Sequence, residues 1–149
     1  MNRRNMLWAA ISSIGAGLTA SRINAAQEAN PSARLRIVYH LNDLDRVGFV
    51  LGTIQNHYDG GGGPDYLTIA LVVHGPALRA FHLASSNPDI SGRHGRLSKA
   101  GLDVAACSNS MKAQGVTLAD LQPGFVEASR GGVVRIAELQ SQGYLYLRP

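Results

Sequence analysis

From Leu35 onward, runs of consecutive or alternating apolar residues take turns with stretches whose apolar positions recur every three or four residues, the periods of strands and helices. LRIVYHL, Leu35 to Leu41, is rich in β-branched and aromatic residues and predicts a first strand. Asn42 or Asp43 then caps a helix whose apolar positions Leu44, Val47, Leu51, Ile54 and Tyr58 share one face, and Gly60 to Gly63 with Pro64 end it. Tyr66 to Val73 is almost unbroken apolar sequence, which suits a central strand covered on both faces. Pro76 fits the first turn of a helix through Phe81 and Leu83. Ser85 to Gly95 is polar, with Pro88 and two glycines, and reads as a surface loop before a helical turn at Leu97 to Ala100. Leu102 to Cys107 predicts a third strand, Ser108 to Gln114 a short helix, and Thr117 the cap of a single turn over Leu118 to Leu121. Phe125 to Ala128 is a short strand, Ser129 caps a last helix along Val133, Ile136 and Leu139, and Tyr144 to Leu147 closes as a fifth strand. Strands separated by helices throughout argue for an α/β fold with a largely parallel sheet and helices on both faces.

The first residues change the picture of where such a domain works. Arg3 and Arg4 precede an uncharged stretch from Met6 to about Ala20, diluted by Ser12, Ser13, Gly15 and Gly17. This reads as a cleaved signal peptide over residues 1–26 more than as a permanent anchor. Adjacent arginines before a modestly apolar segment resemble the twin-arginine type, which exports folded proteins. Arg22 fits that route, and cleavage is expected near Ala25 or Ala26. Residues 27–33, small and polar with Pro31, form a linker, and 34–149 the domain. Export implies a periplasmic location with membrane contact only in transit.

Loss of the leader removes Arg3, Arg4 and Arg22 and no acidic residue, so the formal charge falls from +4 to +1. A nucleic-acid role loses its support, because the remaining basic residues form no long run and do not interleave with aromatics. Arg93, His94, Arg96 and Lys99 are the one local basic cluster, read as a solvated loop and helix start or as a docking patch for an acidic partner. With a single cysteine no internal disulfide is available, so stability rests on the core.

That cysteine, Cys107, ends a strand and opens a helix. Backbone N–H groups at a helix start favour a thiolate and make the sulfur a better nucleophile, although unpaired cysteines also serve as small buried hydrophobes. In parallel sheets reactive groups gather beyond the carboxyl ends of the strands. Those ends carry His40 with Asn42, His74 with Gly75, Cys107 with Ser108 and Asn109, and Ser129 with Gly131. If the first three strands are neighbours, an imidazole reaches the thiol. A metal site from His40, His74 and Cys107 has suitable ligand types but no spacing signature. His57, His82 and His94 fall on helix surfaces or a loop and are given no role. Gly60 to Gly63 follows a helix and lacks a Gly-Lys-Ser/Thr, so it is a flexible loop and not a phosphate cradle.

The ordered set VYHLND, VVHGP, GLDVAACSNSMKAQGV, DLQPGF and ELQSQGYLYLRP covers most of Arg34 to Pro149 and resembles the DsrE/DsrF-like family. The resemblance implies a three-layer α/β/α domain with a mainly parallel five-stranded sheet, assembled as a homotrimer or homohexamer. It also implies sulfur carriage as a persulfide on the cysteine matching Cys107, received from and passed to sulfur donor and acceptor proteins or small sulfur compounds. The expected site is Cys107 with His74 and His40 beside it and Ser108, Asn109 and Ser129 around the bound group. No cofactor is expected, and the protein reads as a carrier more than a turnover enzyme. The competing readings are a non-catalytic oligomeric module binding a small anion or partner protein, and a metal-binding protein using His40, His74 and Cys107.

Overall fold

The computed structural model describes residues 34–85 and 87–149; the expected leader and linker lie outside the described residues. Strands β1 (Leu35–Leu41), β2 (Leu67–Val73), β3 (Asp103–Cys107), β4 (Phe125–Ala128) and β5 (Leu145–Leu147) form one sheet in the order β4-β3-β2-β1-β5. Every pairing is parallel. Helices α1 (Val47–Gly60), α2 (Pro88–Lys99) and α3 (Ser108–Gln114) and the 3-10 segment Gly75–Phe81 pack against one face, while α4 (Gly132–Ser141) covers the other. This is the three-layer α/β/α arrangement expected from the sequence. The chain steps outward from β1 to β4, then returns through α4 to place β5 on the far side of β1, so β1 marks the point where crossovers change face.

The two faces differ in depth. Side chains alternate along a strand, so Ile37, Tyr39, Leu41, Ile69, Leu71, Val73, Val104 and Ala106 point toward α1 and α2 and meet Val50, Leu51, Ile54, Phe81 and Leu97. The intervening positions, Val38, Ala70, Val72, Ala105 and Ala128, meet Ile136, Leu139 and the half-buried Tyr144. Three alanines in that set keep the surface low and let α4 approach closely.

Two segments depart from the sequence reading. Ser85 to Gly95 is not a loop: α2 begins at Pro88, with the Asn87 side chain accepting from Asp89 N–H at 2.8 Å. Proline at a first helical position and an Asn cap are strong start signals, but the glycines masked them. The basic cluster is therefore helical, and His94 within it is buried, stacked on Phe125 at 5.2 Å and edge-on to Phe81 at 5.5 Å. Ser129 does not cap α4; Gly131 does, at φ 103°, a conformation glycine adopts without strain.

His94 carries a consequence for stability. Its burial, opposed by a hydrogen bond with Gln122, holds its pKa below the ordinary value of 6.5. His40 and His74 are depressed as well, His40 to about 4. Groups that bind protons more weakly when folded contribute stability above the unfolded pKa, and it drains away as pH falls toward the folded value. The urea midpoint is therefore expected to fall steadily from about pH 6.5 to pH 5, around the ordinary histidine value. A midpoint that is flat or rises across that range contradicts the neutral-histidine assignment.

Candidate functional site

At the carboxyl end of the sheet, the α4-facing period of β1, β2 and β3 continues past the hydrophobic cluster to His40, His74 and Cys107. The three residues anticipated from strand ends thus share one face and adjacent strands. Cys107 is 6% exposed. Its β-carbon and that of His74 sit against Gly132, where a β-carbon would come within 3.2 Å of Cys107 and 3.3 Å of His74. Glycine at this position lets the first turn of α4 descend onto the thiol.

Two helix starts converge on the sulfur. Cys107 is the N-cap residue of α3, which brings the Asn109 and Ser110 N–H groups toward it, and α4 brings the Gly132 N–H from above. Burial pushes the Cys107 thiol up, but the nearby Gly132 N–H, Ser110 N–H and O–H and Asn109 N–H groups outweigh it, leaving the thiol below its ordinary value. Ser110 is itself fixed, since its Oγ accepts from Gly75 N–H at 2.7 Å. The Gly75 carbonyl in turn accepts from Gln114 Nε2 at 2.8 Å, locking the end of β2 to α3. These amide donors around the sulfur favour its anionic form.

The histidines are arranged otherwise than expected. Neither ring is among the groups that set the Cys107 thiol; His74 turns its Nε2 to the Nε2 of His40, within hydrogen-bond distance, with ring centroids 4.7 Å apart. His40 Nδ1 pairs with the Tyr146 hydroxyl of β5 at 2.7 Å. Burial, then the positive charges of His74 and Arg148, lower His40 to about 4, and burial with Arg148 lowers His74. Both rings are neutral at neutral pH.

The polar residues proposed around the site take different parts. Asn109 contributes its N–H. The Ser108 hydroxyl donates to the Ser129 carbonyl at 2.9 Å, tying the start of α3 to the end of β4, so Ser108 and Ser129 brace the site from behind. Sequence reasoning missed Ser110, Gly132 and Tyr146. Gly131-Gly132 at the entry to the last helix was the one available signal, a pair that permits close approach of a backbone to a neighbour.

A cavity of about 220 Å³ beside His40 is lined also by Asn42, Arg46 and Arg148, and Arg148 donates to Asn42 Oδ1 at 3.1 Å. A larger cavity of about 600 Å³ lies against α2 and the Gln122 to Gly124 turn and shares no residue with the site. His57 pairs with Tyr39 and His82 with Gln114, away from the thiol. Among the described residues no three His, Cys, Asp or Glu side chains gather to hold a metal ion.

The model of the DsrE/DsrF-like family matches residues 16–149. Among solved structures, the protein of unknown function MTH1491 from Methanobacterium thermoautotrophicum is 27% identical with a TM-score of 0.68, over 77% of this chain and 99% of that one. The ychN protein from E. coli, at 15% identity and a TM-score of 0.57, covers 77% and 99% of the two chains and shares the fold. So does the conserved protein of unknown function BT1422 from Bacteroides thetaiotaomicron, at 14% identity, a TM-score of 0.53 and coverage of 75% and 93%. No curated protein matches the chain.

Proposed function

Because the chain belongs to the DsrE/DsrF-like family, whose members are consistent with sulfur relay between partner proteins, we propose that this protein carries sulfur as a persulfide on Cys107. The observation that carries the reading is the convergence of amide donors from the starts of α3 and α4 on one sulfur. Those donors favour the thiolate over the thiol and favour the terminal anion of a persulfide in the same way.

In the transfer, the Cys107 thiolate attacks the outer sulfur of a donor persulfide. A new S–S bond forms at Cys107, the donor's own S–S bond breaks, and its electron pair leaves on the donor thiolate, which takes up one proton. No net oxidant or reductant is required. The reverse step on an acceptor thiol discharges the sulfur, so the protein acts as a carrier and not as a turnover enzyme. The Arg3-Arg4 leader supports a periplasmic setting. Exposed apolar side chains at the β5 edge, Leu145 and Leu147, support assembly into a homotrimer or homohexamer.

Mass spectrometry of the mature protein after exposure to inorganic polysulfide tests the reading. The expected result is one added sulfur atom at Cys107, removed by dithiothreitol and absent from Cys107→Ser. A chain that stays unmodified while an established carrier is loaded in parallel contradicts it. A second reading, a module that binds a small anion without covalent chemistry, is favoured only by Arg46 and Arg148 at the smaller cavity. Sulfite or sulfate binding that persists in Cys107→Ser, with no sulfur uptake by the parent chain, is the outcome that reading requires.

A further inference from the structure

We propose that Tyr146, His40 and His74 form a proton path that delivers to the departing donor thiolate the proton it needs. The inference rests on the carrier reading and adds to it a source for that proton.

The geometry is a line of three side chains from adjacent strands. Tyr146 on β5 is 40% exposed and meets water. Its hydroxyl reaches His40 Nδ1 at 2.7 Å, and His40 Nε2 meets His74 Nε2. His74 then stands beside Cys107 across Gly132, and its Nδ1 is hydrogen-bonded to no described residue.

Two imidazoles that meet Nε2 to Nε2 while neutral must be one donor and one acceptor, so the chain has two polarities. In the first, Tyr146 O–H donates to His40 Nδ1, His40 Nε2–H donates to His74 Nε2, and His74 carries its proton on Nδ1. When His74 Nδ1–H passes its proton to the donor thiolate, His74 Nε2 takes the proton of His40, His40 Nδ1 takes that of Tyr146, and water replaces the phenol proton. The result is the second polarity. One proton has entered from solvent, one has left for the thiolate, and no ring ends charged. Discharge runs the same transfers backward: the acceptor thiol gives its proton to His74 Nδ1, His74 Nε2–H passes to His40 Nε2, His40 Nδ1–H passes to Tyr146 and the phenol returns one proton to water, which resets the path.

The charged surroundings favour neutral rings. Arg148 from the segment after β5 stands near both histidines, with Arg46 and Asp43 at the entry to α1 beside His40. The α4 start contributes glycine backbone and no titratable side chain at the contact, and β3 contributes Cys107. A path that never holds a cation is compatible with the neighbouring arginines, whereas storing a proton on either ring is not.

Single-turnover loading from glutathione persulfide, in H2O and in D2O, tests the proposal with Tyr146→Phe and His40→Gln in the full chain. Tyr146→Phe, at an exposed position, keeps the fold. The parent chain is expected to load more slowly in D2O. Both variants are expected to reach the same final sulfur content at rates lower by about tenfold or more, a modest share of what positioned proton transfer contributes. They are also expected to lose most of the D2O effect and regain rate when imidazole buffer is added. Variants that load at the parental rate with an unchanged D2O effect overturn the path and leave the carrier reading intact. A parent chain that gains no sulfur overturns the carrier reading and the path with it.

Discussion

A Gly132→Leu chain is expected to lose the neutral-pH reactivity of Cys107 together with about 1–3 kcal/mol of stability, the usual cost of forcing extra carbons into a packed site. Even a single β-carbon at Gly132 lies 3.2 to 3.4 Å from Cys107, His74 and Val72, and a leucine has no free space toward the sheet. Relief comes by lifting the first turn of α4, which takes the Gly132 N–H away from the sulfur. With that donor gone, the pH midpoint for alkylation of Cys107 is expected to rise. Gly132→Ala, with its smaller intrusion, is expected to fall between the parent chain and the leucine variant. Iodoacetamide rates across pH provide the readout. Rates unchanged in Gly132→Leu mean that α4 takes no part in holding the thiolate.

Phe81→Ala is expected to have the largest effect on stability and none on the thiol of the folded molecules. Phe81 is fully buried on the α1 and α2 face, edge-on to Phe125 at 5.2 Å and to His94, and its carbonyl accepts from Gln122 N–H at 2.9 Å. Truncation of a buried phenylalanine costs about 3–5 kcal/mol, against a total of about 5–15 for an ordinary domain. Urea unfolding followed by circular dichroism is expected to show a midpoint lowered by a corresponding fraction. The alkylation midpoint of Cys107 is expected to stay in place, because the thiol belongs to the opposite, α4 face of the sheet. A small loss of stability, or a thiol that titrates differently in the folded state, means that the two faces are not independent in the way their packing indicates.

The strands were legible because each is a short run of β-branched, aromatic or small apolar residues closed by glycine, proline or a polar cap, signals that reside within the segment itself. The start of α2 was not, since a polar run with Gly92 and Gly95 has weak helical preference and is held by what it packs against: Ile90, His94 and Leu97 on the core. His94 was misplaced for the same reason, as its burial between Phe81 and Phe125 depends on residues distant in sequence. The start of α4 was misread by two positions, from Ser129 to Gly131, because a glycine at positive φ does there what a serine side chain does elsewhere.

The candidate site divides along the same line. Cys107 at a strand-to-helix junction is a local feature, and so is the placement of His40 and His74 at strand ends. What those residues touch is not local. The pairing of His74 with His40 instead of the thiol, and the arrival of Tyr146, follow from strand order, which sets β5 beside β1 and β1 beside β2. The approach of Gly132 to Cys107 follows from α4 lying on the low alanine surface of β2, β3 and β4. Strand composition carries none of this information.

Native Cys107 is expected to ionise more readily than the same residue in the unfolded chain, because amide groups at the starts of α3 and α4 surround its sulfur. The alkylation rate of native Cys107 as a function of pH, with the urea-unfolded chain as reference, measures this difference. The native midpoint is expected to lie below that of the unfolded chain, with alkylation of the folded protein detectable at neutral pH. A native midpoint at or above the unfolded one, or a thiol that reacts only after unfolding, contradicts that expectation.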